Sequence, residues 1–393
     1  MSENVMERVA LPREVTPRSR ANGHLRHFAD VREAVDAQSV GNWDVRVMSD
    51  HLSFCNGQLA LPPDQGGHSL LTPTNWATGQ LCARLGIPAP YFRKCPAELQ
   101  DAQANYWLGK VAEAKGEKWL LRAKDDRLRA VLSHRYSPLD NGELLDALAP
   151  TLPSHLRVDW LDLSDEGLHL RIVDPHKTQD VLPGDGLSVG IHIANSEVGF
   201  RSISVDALVY RLVCTNGLIR LVKGKSLLRQ RHIHIARTRL VAALEEAVES
   251  AWSEASGFLE QMRQTTRVAV PDVEGVIERI GERWHLSQTV QEGVLSDLRR
   301  EPVRVQETLY GVVNAFTSAA QRQSSETRYD MEVLAGYLAE HGVATYAPKR
   351  RRDALGNGRD GSEPFDAVEA AQEMFDAQIM SRRPLLQREV SGR

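Results

Sequence analysis

The period of the hydrophobic pattern changes near residue 238, and this change constrains the fold more than any other feature of the sequence. Between residues 118 and 193, five segments alternate in polarity or are rich in Val, Ile, Leu and Trp, with short turn sequences between them. That pattern is typical of an antiparallel meander. After residue 238, apolar residues occur at helical spacing to about residue 341. The sequence therefore predicts an α+β fold, an antiparallel sheet with a packed helix followed by an all-helical C-terminal region.

Turn and capping residues support the boundaries of single elements. Thr74 is a candidate N-cap and Gly86 a candidate stop for a helix over 74–85. Asn56-Gly57 is a candidate turn for a hairpin that joins 44–48 to 58–61. The other predicted strands are 118–124, 128–134, 156–163, 168–174, 187–193, 200–204 and 227–236. The other predicted helices are 141–148, 205–214, 238–265, 272–283, 287–299, 303–321 and 326–340.

Composition divides the chain of 393 residues into four parts. They are a flexible N-terminal arm (1–42), an α+β core with a basic sheet (43–239), an acidic helical region (240–348), and a linker and tail (349–393). No apolar run approaches the roughly 18 residues of a membrane helix, and the N-terminus has no apolar signal segment. The four cysteines form no C-x-x-C pair, which is typical of isolated thiols in a reducing compartment. We expect a cytoplasmic protein without a membrane partner.

Charge is distributed unevenly along the chain. Residues 200–239 contain nine Lys or Arg and one acid, whereas residues 240–348 contain seventeen acids and nine Lys or Arg. A cationic surplus inside a chain of net charge −4 favours an anionic partner, most often nucleic acid, and a solvated basic face is the alternative. The candidate nucleic-acid contacts are Arg201, Arg211, Arg220, Lys223, Lys225, Arg229 and Arg231, with Arg122 and Arg129 as a second patch.

The basic segments suit a single strand of nucleic acid. Cations bind phosphates along such a strand, and aromatic rings stack on its unpaired bases. Arg211 lies on a predicted helix with apolar faces, so it contacts a phosphate or pairs with a buried acid. The rings close in sequence to these cations are Trp119, Tyr136, Trp160, Phe200 and Tyr210, and most rings at such positions belong to a core.

Signatures of enzymes are sparse in this sequence. It contains no G-x-x-x-x-G-K-[ST] loop, no G-x-S-x-G elbow and no H-E-x-x-H helix. His232 and His234 share one face of a predicted strand, and Asp174 and His176 could complete a metal site, but nothing in the sequence shows that the four converge. We predict no catalytic residue, no metal and no cofactor, and a metal-dependent nuclease or hydrolase remains an alternative function.

Several short phrases occur together and in order. They are residues 80–88 with Tyr91, residues 132–136 with Asp140-Asn141, and residues 194–196, 210–218, 231–232 and 311–317. Together they resemble the phage/plasmid-like protein family of unknown function, which is carried on prophages, plasmids and integrative elements. The resemblance covers roughly residues 50–340. It implies a mobile-element setting and supplies no catalytic residues.

These observations lead to one leading hypothesis. We expect a non-enzymatic nucleic-acid-binding protein of a mobile genetic element, which binds or anneals single-stranded DNA in recombination or replication. The acidic helical region would brace the basic sheet or dock on the basic surface of another subunit, so a homo-oligomer is expected. The second alternative, beside the metal-dependent enzyme, is a protein-interaction module that counters a host defence system.

Overall fold

The computed structural model describes residues 27–63, 70–114, 116–212, 216–221, 226–233 and 237–346. Lys223, Lys225, His234 and the predicted linker and tail lie outside these residues, as does most of the predicted arm. The described part of that arm contains helix α1 (Phe28–Ser39), whose Val31 and Val35 are buried. The chain forms two sheets and a helical C-terminal region, which confirms the predicted α+β class. No helix among the described residues is long and apolar enough to cross a membrane.

The first sheet comes from strands before residue 134. Its strands, in the spatial order β1-β5-β6-β4-β3-β2, are β1 (Asn42–Met48), β2 (Ser53–Cys55), β3 (Gln58–Ala60), β4 (Leu70–Pro73), β5 (Lys118–Lys124) and β6 (Arg127–Ser133). Asn56 and Gly57 have φ angles of 53° and 74°, as a two-residue hairpin turn requires. The predicted turn is therefore confirmed, but it joins β2 to β3, and β1 pairs with β5.

Helices cover the apolar face of the first sheet. They are α2 (Asn75–Leu85), α3 (Ala89–Phe92) and α4 (Ala97–Glu113). Thr74 Oγ1 accepts a hydrogen bond from the Ala77 N–H at 3.1 Å, and Gly86 ends α2 in the left-handed conformation with a φ of 68°. Both predicted signals of this helix are confirmed, because they satisfy backbone groups that the ends of a helix leave without partners.

The second sheet follows helix α5 (Asn141–Leu148). Its strands are β7 (Arg157–Leu163), β8 (Leu168–Leu182), β9 (Asp185–Asn195), β10 (Ile203–Arg211), β11 (Asn216–Arg220) and β12 (Leu228–Gln230). The spatial order is β7-β8-β9-β10-β11, and β12 also pairs with β10. Every residue of β9 and β10 is buried, so both faces of the sheet are covered at its centre.

Two expectations about these strands are wrong. The predicted strands 118–134 and 156–193 belong to separate sheets rather than to one meander. The predicted strand 200–204 and helix 205–214, which include Arg211, are replaced by strand β10. Because β10 is buried on both faces, it is apolar almost throughout, and such a run has no period that separates a strand from a buried helix. The predicted strand 227–236 is reduced to β12 and a single bridge between Ile233 and Tyr136, with 234–236 outside the described residues.

The C-terminal region follows the predicted helical pattern closely. Its helices are α6 (Arg237–Thr265), α7 (Val273–Arg283), α8 (Gln288–Leu298), α9 (Val303–Gln306), α10 (Leu309–Ala320) and α11 (Ser325–His341). The predicted helix 303–321 is divided because Thr308 caps α10, accepting a hydrogen bond from the Gly311 N–H at 3.2 Å. Helix α6 packs against β9 and β10, and α11 packs against β11.

The contact between α11 and β11 depends on a glycine. A Cβ atom on Gly336 would collide with the carbonyl oxygen of Ile219, which is backbone and cannot rotate away. We predict that Gly336→Ala lowers the free energy of unfolding by about 1–3 kcal/mol in urea titrations. Gly257→Ala in the exposed part of α6 is the matched control, and should raise it by up to about 1 kcal/mol because nothing lies near the added methyl. Equal stability of Gly336→Ala and the unmodified chain would contradict this packing.

Candidate functional site

The predicted cationic residues divide into buried and exposed groups. Arg122, Arg129 and Arg211 are 3%, 5% and 6% exposed, so none presents an open guanidinium to solvent. Arg229 and Arg231 are exposed. An arginine can bind a phosphate directly only where its guanidinium group is accessible to solvent.

Arg211 on β10 pairs with acids from two other parts of the chain. Its Nε and Nη2 atoms donate to the two carboxylate oxygens of Asp185, each at 2.7 Å, and its Nη1 atom donates to Glu301 Oε1 at 2.7 Å. Tyr310 Oη also donates to Asp185 at 2.9 Å. Burial lowers the pKa of Arg211, but the two carboxylates outweigh burial and raise it above its usual value. Of the two roles predicted for Arg211, pairing with a buried acid is the one observed.

Arg220 on β11 reaches carboxylates on two helices. Its Nη1 atom lies 2.5 Å from Glu254 Oε2 on α6, and its Nη2 atom lies 3.4 Å from Glu340 Oε1 on α11. The guanidinium also lies over the ring of Phe258, 5.2 Å from the ring centroid. Arg220 thus links the edge of the second sheet to the helices on either side of it.

Arg122 and Arg129 bond Glu197 in the loop 196–202, which connects β9 to β10 and touches the first sheet. Arg129 Nη2 donates to Glu197 Oε2 at 2.8 Å, and the backbone N–H of Asn141 donates to Glu197 Oε1 at 2.9 Å. Arg122 Nη1 donates to the Glu197 carbonyl oxygen at 2.9 Å. Arg122 also forms ion pairs with two acids, Asp44 and Asp140. Both arginines therefore join the two sheets.

A cluster of buried charges lies between the second sheet and α11. Arg171 and Arg328 both donate to the carboxylate of Glu332, which is fully buried. Both guanidinium groups also lie over the ring of Trp160, at 4.7 Å and 4.3 Å from its centroid. Burial lowers the pKa of Arg328 to about 10, so it remains charged at neutral pH. A Cβ atom on Gly217 would come within 2.7 Å of Arg171 Nη1, so the glycine makes room for this guanidinium.

Two histidines extend this cluster across the sheet. His169 Nδ1 lies 3.1 Å from His192 Nε2, and His192 Nδ1 lies 3.6 Å from Asp206 Oδ2. Tyr329 Oη on α11 donates to the same Asp206 oxygen at 2.9 Å. Burial, more than any neighbouring charge, lowers the pKa of both histidines to about 4, so both are neutral at pH 7.

Arg201 and Glu326 lie at the outer end of this histidine pair. Arg201 Nη1 donates to Glu326 Oε1 at 3.0 Å, and His169 Nε2 lies 3.0 Å from the same oxygen. The Glu326 side chain is 29% exposed, whereas His169, His192 and Asp206 are almost completely inaccessible. The arrangement therefore fixes α11 on the sheet, and its interior presents no surface to a ligand.

The sequence contains a signal for this cluster in the segments that form β8 and β9. His169 and Arg171 occupy alternate positions in the first part of β8 (168–173), which is otherwise apolar, and His192 on the mostly apolar β9 is paired with Arg171. Polar residues that alternate with apolar ones normally mark a solvent-exposed face. Here the same face is covered by α11, so the alternation marks a buried polar layer.

A second group of arginines is exposed to solvent near the contact between residues 134–137 and 231–233. Tyr136 pairs with Ile233, and Ser137 N–H donates to the His232 carbonyl oxygen at 3.0 Å, so residues 134–137 run beside 231–233. Helix α6 begins four residues after Ile233. The exposed arginines around this junction, here called the cationic surface, are Arg135, Arg229, Arg231 and Arg239.

Among the described residues, the structure brings together only Asp174 and His176 of the four residues predicted as candidate metal ligands. Asp174 Oδ1 lies 3.4 Å from His155 Nε2, and the rings of His155 and His176 lie 5.2 Å apart. His232 instead stacks on Tyr136 at 5.1 Å, and His234 lies outside the described residues. Within the part of the chain that the structure describes, no three His, Cys, Asp or Glu side chains are placed to hold a metal ion.

One known protein family matches a continuous stretch that includes both the second sheet and the helical region. A family model described as "Domain of unknown function (DUF932)" matches residues 130–354. Because the match covers more than half of the 393 residues, the chain belongs to this family. No curated protein and no solved structure matches the chain. The predicted membership of a family of unknown function is confirmed, and the mobile-element setting stays a prediction.

Removal of the buried carboxylate at Glu332 tests the cluster under α11. We expect Glu332→Gln to lower the free energy of unfolding by about 3–5 kcal/mol, because two buried guanidinium groups lose their shared counter-charge. Glu113→Gln is the matched control, since Glu113 pairs with Lys110 at the surface and its loss should not be measurable. Urea titration of both variants gives the comparison, and equal stabilities would show that Glu332 does not hold the cluster.

The buried histidines predict a dependence of stability on pH. The pKa values of His169, His192 and His232 are lowered to about 4 in the folded chain, against 6.5 in the unfolded chain. Between these pH values the unfolded chain binds more protons, so the free energy of unfolding should fall as pH falls from about 6.5 to about 4, by roughly several kcal/mol in total. His232→Gln should flatten this slope and the exposed His51→Gln should not, as measured by urea titration at each pH. A slope unchanged by His232→Gln would refute the assignment.

Proposed function

We propose that this chain binds nucleic acid through the cationic surface, as a single-stranded DNA-binding or annealing protein in the recombination or replication of a mobile genetic element. The observation that carries the proposal is that exposed arginines lie on three neighbouring segments, which are β12, residues 134–137 and the start of α6. Positive charges placed together repel one another, and an anionic partner relieves that repulsion.

The start of α6 adds to the positive potential of this surface. The first turn of this 29-residue helix contains no acid, and Arg237 and Arg239 occupy it instead. The N-terminus of a helix carries a partial positive charge, which acidic residues usually offset. Arginines at this end therefore favour an anion from outside the chain, and phosphate groups bind readily to such helix ends.

Five arginines of the predicted set are buried or mostly buried and do not belong to the cationic surface. Arg122, Arg129, Arg201, Arg211 and Arg220 are each bonded to carboxylates of the same chain, and a phosphate would have to displace these acids. Arg229 and Arg231 of the predicted set are exposed, and they are the proposed contacts together with the exposed Arg135 and Arg239. Lys223 and Lys225 remain proposed contacts on their sequence position alone, since they lie outside the described residues.

A single strand suits this surface better than a duplex. Ile233 lies among the arginines and is 44% exposed, so an unstacked base has an apolar side chain to contact. Trp119, Tyr136 and Tyr210 are buried and serve the core, so none of them is proposed as a stacking platform. The mobile-element setting rests on the resemblance of residues 50–340 to the phage/plasmid-like family, and the DUF932 match agrees with an uncharacterised family.

Neutralisation of two arginines tests the proposal. We expect Arg229→Gln with Arg231→Gln to weaken binding of a labelled single-stranded oligonucleotide, and to reduce the slope of log affinity against log salt by about 1–1.5, because two phosphate contacts are lost. The matched control is Arg267→Gln with Arg304→Gln, which removes two exposed arginines from the helical region and should leave the slope unchanged.

The same titration on a duplex of equal length distinguishes the two nucleic-acid forms. Tighter binding of the single strand at physiological salt is the expected result. An unchanged salt slope for the Arg229 and Arg231 variant would overturn the assignment of the surface. Absence of binding to either form by the unmodified chain at low salt would overturn the proposed function.

A further inference from the structure

Strand β1 lies at an edge of the first sheet, and among the described residues it pairs only with β5. That pairing is regular over seven residues, from Asn42 opposite Lys124 to Met48 opposite Lys118. The other edge of this sheet is blocked, because the Asn105 side chain bonds both the N–H and the carbonyl oxygen of Phe54 on β2, at 2.7 Å and 2.9 Å. An edge without a bulge, proline or lysine is a template for a further strand.

The two faces of β1 differ in polarity. Trp43, Val45 and Val47 belong to the apolar face that packs towards α2 and α4, but only Val47 is buried, and the other two are partly covered. Asp44 and Arg46 alternate with them and are exposed on the opposite face. The apolar stripe of the sheet is therefore incompletely covered at this edge.

We propose that β1 pairs with β1 of a second copy of this chain, antiparallel about Val45, so that two first sheets join into one continuous sheet. In this register Asp44 lies opposite the partner's Arg46, and Trp43 lies opposite the partner's Val47. Val45 lies opposite the partner's Val45 on the two-fold axis. Opposite charges and pairs of aromatic with β-branched residues are the cross-strand neighbours that stabilise antiparallel sheets.

Alternative registers are disfavoured by the same residues. A shift of two positions in one direction places Asp44 opposite the partner's Asp44, and a shift in the other direction places Arg46 opposite the partner's Arg46. Like charges directly opposite each other destabilise a strand pair. A shift of one position places charged residues opposite apolar ones. It also turns the partner's Trp43, Val45 and Val47 to the face that carries Asp44 and Arg46. The strand is therefore complementary to itself in one register.

The resulting contact is isologous, with the same strand used by both copies, and it closes at two subunits. None of the four arginines of the cationic surface lies on β1, although Arg46 Nη1 donates to the carbonyl oxygen of His134, beside Arg135, at 3.2 Å. The inference therefore does not rest on nucleic-acid binding, and it differs from a head-to-tail assembly of acidic and basic surfaces.

Charge reversal with mixing tests the register. We expect the full chain to form a dimer by sedimentation velocity, and Arg46→Glu and Asp44→Lys each to raise the dimer dissociation constant about tenfold or more, because each variant places like charges opposite each other in two places. An equimolar mixture of the two variants should recover the dimer, because the reversed charges then face each other across the pair of strands.

Two controls keep the test decisive. Arg304→Glu reverses an exposed charge on α9 and should leave the dimer intact. Asp44→Lys also removes an ion pair with Arg122, so if that variant fails to fold, Arg46→Glu alone carries the test. A monomeric full chain at all concentrations overturns the proposal, as does a dimer that Arg46→Glu leaves equally tight. Where both variants fold, a mixture that does not recover the dimer also overturns it.

Discussion

Burial of arginine between the second sheet and the C-terminal helices is the constraint on which the rest of the structure depends. Arg171 and Arg328 share the carboxylate of Glu332 in the interior. An uncompensated charge in such a place costs several kcal/mol, so the strand and the helix must meet in one arrangement. Arg211 with Glu301 and Arg220 with its two helical acids repeat this principle at the other end of the sheet.

The same pairs explain why the basic and acidic parts of the sequence have opposite charges. The acidic helical region supplies carboxylates to the arginines of the sheet, so the predicted bracing role has a structural counterpart within one chain. Three of the nine Lys or Arg in residues 200–239, namely Arg201, Arg211 and Arg220, are thereby paired with carboxylates of the same chain. Among the described residues, the cationic surface contains the arginines of that run that are exposed, together with Arg135.

The candidate site was only partly accessible from the sequence. The sequence predicts Arg229 and Arg231 at a surface, and both are exposed. It also predicts Arg211 on a helix, because the apolar neighbours of Arg211 fit a helical spacing by chance, whereas Arg211 lies on strand β10. Arg135 was missed, because it lies about a hundred residues away and reaches the surface only through the bridge between Tyr136 and Ile233. No local pattern reports a neighbour of that kind.

The sequence by itself determined the α+β class, the helices of the C-terminal region and the ends of elements such as α2, because caps, turns and hydrophobic periods are local properties of the chain. The tertiary structure alone decided that the strands divide into two sheets, and that β10 is a strand. It also decided which arginines are buried and which are exposed. The physical reason is that charge pairing and burial depend on residues distant in sequence, such as Arg171 and Glu332, whose meeting is set by the packing of α11 on the sheet.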